Sequence, residues 1–261
     1  MHRPLYDQLV PYYDLVEGRD WRGEVKLIVS ILRKHQSETV VDLGCGPGYH
    51  VRALAKLGFN ATGIDISRRN ILFAIKRARR EHVQPRFVVG SYYDYRPRQI
   101  VDAALCLNWS IPTRDYELRR FLRNTRRMLR IGGILILDYE RTSDIVWKDL
   151  GKPVVKSWDL KGLVIVRVSL GEIVSNVLHS TDIYILYPKG NPPRPPNEVV
   201  RYRWVRDRNL AQIYADSSYV RFFSIPELRH FATESGFTLL ANHILPRNGY
   251  KRNYAVLERV S

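Results

Sequence analysis

The sequence predicts an α/β fold: a doubly wound, mainly parallel sheet with an antiparallel, β-rich insertion after its fifth strand. Three observations lead there. Between residues 24 and 140, short β-branched runs alternate with segments of helical periodicity, the pattern of strands joined by crossover helices. Between 154 and 223 the period drops to two, as in LVIVRVSL, DIYILY and VVRYRWV, which is the pattern of antiparallel strands with one wet face. At the end, a helical pattern precedes two apolar runs joined by PRNGYKR, a connection long enough only for an antiparallel pair.

Each element follows from its own residues. Val25, Ile28, Val29 and Leu32 share one face of a helix over 24–35. TVVDLG (39–44) is a buried strand ending in a turn, and YHVRALAKLG (49–58) is a helix closed by Gly58. NATGIDI (60–66) is the second strand, and Ser67 is suited to cap a helix that runs to about Glu81. PRFVVG (85–90) and IVDAALCL (100–107) are the third and fourth strands. A helix from about Arg114 to Arg130 is expected to stop at Gly132-Gly133, with GILILDYE (133–140) as the fifth strand. NPPRPP (191–196) lacks ladder donors and reads as a loop. In SIPELRHFATESGF, Ser224 caps a helix, Pro226 sits in its first turn and Gly236 ends it. The expected division is a core of 1–145 and 224–261 and an insertion of 146–223.

The 261 residues suit one large domain with a substantial insertion. No apolar run approaches the roughly 18 residues that span a bilayer, and MHRPLYDQLVPYYD lacks a signal-peptide pattern. Cys45 and Cys106 lie in apolar segments and read as buried thiols, so a cytoplasmic location is expected. The formal charge of +16 has two readings. One is a footprint for nucleic acid or another polyanion. The other is a thermophile-like surface rich in ion pairs.

The segment VVDLGCGPGYHVRALAKLGFNATGIDIS (40–67) carries the chemistry. Gly44, Gly46 and Gly48 follow a strand and precede a helix, and Asp65 ends the next strand. The glycines let backbone turn tightly and approach a ligand, and the carboxylate can accept from two ribose hydroxyls. A dinucleotide loop expects a third glycine where Val51 stands. Asp42, directly before the turn, would oppose a diphosphate but suits a ligand with an ammonium group.

DLGCGPG, followed by GIDIS, VVGSYYD, VDAALCLNWSI and LRIGGILILD, resembles the motif series of class I S-adenosylmethionine-dependent methyltransferases. The resemblance is closest over residues 12–141. It implies a Rossmann-like, seven-stranded sheet with one reversed strand, which the closing helix and strand pair match. The motif order and β-rich insertion are similar to the branch that includes glycine- and sarcosine-type small-molecule N-methyltransferases. The resemblance implies S-adenosylmethionine as cofactor. Gly44, Gly46 and Gly48 would line its amino-acid part, supported by Asp42; Asp65 would bind the ribose and Ile66 would pack on the adenine. Where the family usually has Asp to meet the adenine amino group, this chain has Ser91, and the Tyr92 backbone N–H offers a second contact. Leu107 and Asn108 fall where the family closes over the methionine end. Tyr12, Tyr13 and Trp21 match aromatic positions that cover the cofactor, with a packing cluster as the alternative reading.

Acceptor-side candidates lie at the carboxyl edge of the sheet: Asn108 and Trp109 after the fourth strand, Tyr139 and Arg141 after the fifth, with Tyr13 nearby. His50 is a candidate base. Histidine spacing shows no metal site. The insertion, with Trp158, Tyr184, Tyr187, Tyr202, Trp204, Tyr214 and Tyr219, reads as a lid that selects the acceptor or as a homodimer surface. Arg119, Arg120, Arg123, Arg126, Arg127 and Arg130 share a helix face, which reads as a solvated cationic face, an RNA-contacting stripe or a surface for a partner protein. Three functions follow: methyl transfer to a small molecule, favouring an amine and without membrane involvement; methyl transfer to tRNA or rRNA; or a cofactor-binding partner subunit without its own activity.

Overall fold

The computed structural model describes residues 4–17, 21–108, 110–145, 150–188, 212–247 and 250–260. Contacts divide the chain into two units, one of residues 5–145, 175–177 and 220–261, the other of 1–4, 146–174 and 178–219.

The larger unit is built on β1 (Thr39–Leu43), β2 (Asn60–Asp65), β3 (Arg86–Val89), β4 (Val101–Cys106) and β5 (Leu129–Arg141), all parallel in the order 3-2-1-4-5. At the β5 edge, β11 (Tyr250–Arg259) runs antiparallel and pairs in turn with β10 (Phe237–Arg247). The order reverses between β1 and β4, so the loops after these strands diverge and open a crevice at their carboxyl ends.

Alternation along the central strands makes two cores, one on each face. Val40, Ala103, Leu105, Ile134 and Ile136 face α2 (Trp21–Lys34), α3 (Tyr49–Lys56) and α4 (Arg68–Arg80). Val41, Ala104, Cys106, Leu135 and Leu137 face α5 (Asp115–Met128) and α6 (Ile225–Glu234). On the α2 stripe Ile28 and Leu32 are fully buried and Val29 nearly so, while Val25 is half-buried. Ser67 caps α4 by accepting from Asn70 N–H, and Ser224 and Glu227 form a capping box on α6. Both cysteines are buried free thiols, pushed well above the usual thiol range by burial.

One boundary differs from expectation. The helix α5 ends at Met128, because Leu129 is already extended and starts β5. Gly132-Gly133 therefore lies inside the strand. Gly132 is left-handed, and a Cβ on Gly133 would stand 2.8 Å from Arg130 O and 2.9 Å from Asp102 O, so glycine is required there by backbone crowding.

The smaller unit holds most of four strands, β6 (Val154–Leu160), β7 (Leu163–Val174), β8 (Val177–Pro188) and β9 (Gln212–Phe223), adjacent in the order 6-7-8-9. β6 and β7 pair antiparallel. Ser175 and Asn176, between β7 and β8, are both left-handed, as the tight turn of a hairpin demands. Tyr202, Trp204 and the proline loop at 191–196 lie outside the described residues. Among those described, no helix is long and apolar enough to cross a membrane.

Candidate functional site

The glycine loop between β1 and α3 uses each glycine differently. All three are left-handed, Gly44 at φ +83°, Gly46 at +52° and Gly48 at +74°. A Cβ on Gly44 would meet Ser110 Oγ at 2.7 Å, and one on Gly48 would meet the Phe87 ring at 2.6 Å. Gly46 faces open space, and its N–H donates to Asp65 Oδ2 at 2.8 Å. The close helix-to-strand packing that a third loop glycine would give comes from the opposite side. Gly63 on β2 lets α3 approach, and a Cβ there would stand 2.8 Å from Cys45 Sγ and 2.9 Å from Val51 Cγ2.

Two acids flank this loop. Asp65 accepts from Gly46 N–H and, at 2.8 Å, from Ser67 N–H, with Asn70 Nδ2 at 3.3 Å. Burial raises its carboxyl above the usual range despite those donors. Asp42 is 3% exposed, and its Oδ2 is buried without a hydrogen-bond partner. Burial, with Asp65, Glu24 and Asp138 nearby, pushes its carboxyl up to about 7, against an opposing effect from His50. A buried acceptor left unmatched is uncommon and carries a desolvation cost, so its persistence fits a site for a donor or cation.

Behind the loop lies a buried polar network. Glu24 on α2 accepts from Tyr254 OH at 2.7 Å and stands 3.1 Å from His50 Nε2 and 3.4 Å from Arg252 Nη1. Arg252 Nη1 also reaches Asn108 Oδ1 at 2.9 Å and Asp138 Oδ2 at 3.2 Å, and Asn108 N–H donates to Asp138 Oδ2 at 2.8 Å. His50 and Arg252 hold the Glu24 carboxyl far below the usual carboxylate range against the opposing effect of burial. The joining of Glu24, Asp138 and Arg252 is not legible in the sequence, because they meet only when α2, β5 and β11 come together; the separate hints are the acid on an otherwise apolar face of α2 and the Asp that ends LRIGGILILD.

The other sequence-predicted residues fall into three groups. At the loop's edge, Ile66 is 79% exposed beside Asp65. Ser91 accepts from Tyr93 N–H through Oγ at 3.2 Å, so part of its capacity is spent on its own turn. Tyr92 is half-buried, its hydroxyl donating to Ser110 O at 3.1 Å, and Leu107 is buried. Trp21 stacks 4.8 Å from Tyr49 and 5.4 Å from His50, next to the start of α3. Tyr12 is half-buried; Tyr13 is buried and 6.0 Å from Tyr6, in a packing cluster. Ser67 Oγ donates to Tyr6 O at 2.7 Å, which ties this N-terminal segment to the turn after Asp65.

Two expectations are corrected. Tyr139 is 1% exposed, its ring is 6.4 Å from Phe223 in the core and its hydroxyl donates to Asn242 Oδ1 at 2.8 Å, so it offers no open face for an acceptor. His50 is likewise buried against Glu24, a positioned core group with no exposed edge for a base. Trp109 lies outside the described residues. The arginine stripe is partly committed: Arg119 pairs with Glu234 at 3.0 Å, Arg120 with Asp94 at 2.6 Å and Arg130 with Asp102 at 2.8 Å. Among the described residues no group of His, Cys, Asp and Glu could hold a metal ion.

Comparison with known proteins agrees with this geometry. Residues 40–133, which hold β1 to the start of β5, match the family described as "Methyltransferase domain". Glycine N-methyltransferase of Oryctolagus cuniculus is 25% identical over 136 residues, 46% of each chain. The chain thus spans about half the length of the curated relatives it matches. The sugar N-methyltransferase of Streptoalloteichus superposes with a TM-score of 0.73 at 17% identity, covering 98% of this chain and 94% of that one. An S-adenosylmethionine-dependent methyltransferase of Clostridium acetobutylicum gives 0.73 at 13% identity, covering 98% and 99%. Both superpositions cover nearly all of this chain. With its 3-2-1-4-5 sheet closed by a reversed strand, its three left-handed glycines and its acid after β2, the chain has the fold of these methyltransferase structures, and its residues 40–133 match a methyltransferase domain.

Proposed function

We propose that this chain binds S-adenosylmethionine and transfers its methyl group to a small-molecule acceptor, with nitrogen as the atom methylated. One observation carries the cofactor reading: the buried, unmatched Asp42 Oδ2 beside a glycine loop whose central N–H is fixed by Asp65. The protein is strongly basic overall, yet four carboxylates, Glu24, Asp42, Asp65 and Asp138, gather here against Arg252 and His50. That local field favours a ligand with positive charge. S-adenosylmethionine has an ammonium group and a sulfonium, and it supplies a methyl group activated by the positive sulfur.

The chain's own residues then bind and orient. Gly46 leaves open space beside the turn, and Asp42 presents an acceptor to an ammonium group. Asp65 keeps lone pairs for ribose hydroxyls beyond those used by Gly46 and Ser67. Ile66 and Tyr92 present apolar surface to a base, and Ser91 Oγ keeps a second lone pair to accept from an adenine amino group. Holding the acceptor in line is the main catalytic contribution left to the protein, about 7 kcal/mol or more in favourable cases. A neutral amine needs no base at the transfer step, which accords with a site that buries its histidine. The reading of nitrogen as acceptor is supported by the similarity to glycine and sugar N-methyltransferases.

Calorimetry tests the cofactor reading. Wild type is expected to bind S-adenosylmethionine, and Asp65→Ala to lose at least tenfold in affinity. A wild type that shows no binding overturns the proposal.

A further inference from the structure

We infer that Arg252 is a positioning residue: from β11 it sets the turn after β4, and through Glu24 it fixes that turn's spacing from the glycine loop. The inference rests on the cofactor reading above. It starts from Asn108, which is left-handed at φ +64° without being glycine. Such a conformation persists where its surroundings dictate it. Here both ends of the residue are held. Its N–H donates to Asp138 Oδ2 at 2.8 Å, and its Oδ1 accepts from Arg252 Nη1 at 2.9 Å.

The same guanidinium nitrogen lies 3.2 Å from Asp138 Oδ2 and 3.4 Å from Glu24 Oε1. Glu24 in turn holds His50, in the first turn of α3 directly beyond Gly48. One side chain on the last strand therefore braces both loops that frame the site. They also meet directly, since Ser110 Oγ lies 3.4 Å from Gly44 O and leaves no room for a Cβ on Gly44. The Arg252 side chain is 8% exposed, and all three contacts run to one nitrogen, Nη1, so removing the guanidinium unties them together. On the cofactor reading, the braced turn lies at the methionine end, away from the Asp65–Ile66 end.

That separation gives a test that needs no acceptor. Two probes are titrated by calorimetry: S-adenosylmethionine, and 5′-methylthioadenosine, which lacks the amino-acid arm. Arg252→Met and Asn108→Gly are each expected to weaken S-adenosylmethionine at least tenfold while changing methylthioadenosine less than twofold. Arg252→Lys should recover part of the loss. Asn108→Gly keeps the left-handed backbone accessible, so it decides the matter should Arg252→Met fail to fold. Equal weakening of both probes would mean a general structural role and overturn the inference, as would no weakening of either. If wild type binds neither probe, the cofactor reading fails first.

Discussion

Asp42 illustrates how one side chain can set a pH dependence. In the ligand-free protein, burial holds its carboxyl at about 7 rather than 3.8, so below neutrality it is mostly protonated. A cationic ligand prefers the carboxylate. Affinity for S-adenosylmethionine is therefore expected to rise with pH and level off above about 7, falling by up to about tenfold per pH unit below it. Folding has the opposite sign. Between 3.8 and about 7 the folded chain keeps a proton that the unfolded chain releases, so Asp42 lowers stability as pH rises through that window. Asp42→Asn should accordingly raise the melting temperature of the ligand-free protein at pH 8 while weakening the ligand and flattening its pH profile. Calorimetry across pH 5.5–8.5, beside thermal melts, checks both. A mutant that binds as tightly as wild type, with the same pH profile, rules out a direct role for this acid.

At the scale of elements, the packing of α3 on β2 explains why the glycine loop departs from the dinucleotide pattern. Val51 occupies the position where a helix-side glycine would stand, and Gly63 on the strand leaves the space instead. Gly63→Ala would place a methyl 2.8–2.9 Å from Cys45 Sγ and Val51 Cγ2, at a cost of about 1–3 kcal/mol. Val51→Ala removes one clashing group, so the double mutant should be less destabilised than the sum of the singles; additive denaturant midpoints would contradict this account. The example also shows what the sequence made legible. The glycine spacing, the β2 acid and both serine caps were readable, because each depends on neighbours within a few residues. The compensation by Gly63 was not, and neither was the end of α5, where the obvious glycine pair lies four residues too late. Glu24 and Arg252 are 228 residues apart, and only the closing strand brings them together. Tyr139 was misplaced for a related reason: alternation fixes that neighbours on a strand face opposite ways, but not which of the two faces the crevice.

For the whole molecule, the question is what the +16 charge is for. Affinity for RNA comes largely from cations free to displace counterions from phosphates. Arg119 and Arg120 on α5 and Arg130 at the start of β5 already face Glu234, Asp94 and Asp102. Arg221 is closed in by Asp115 and Glu227, and Arg52 and Lys56 share Glu81. The pairs on Arg119, Arg120, Arg130 and Lys56 are exposed or half-exposed and individually worth little, roughly 0–1 kcal/mol each, and all of these pairs subtract from the charge on offer to a polyanion. The acids left at the carboxyl edge of the sheet do the reverse of what a phosphate chain needs, because they make the crevice locally negative. An RNA strand would have to deliver its target base past Asp65 and Asp42, whereas a small amine would gain from the same field. Transfer of labelled methyl from S-adenosylmethionine into fractionated cell extract is therefore expected to mark the small-molecule fraction and leave RNA unlabelled. Binding to bulk tRNA should be weak and fall steeply with salt, without saturating at one site. Label recovered in RNA, with binding that survives 200 mM salt, would instead assign the basic surface to an RNA substrate and remove the small-molecule reading.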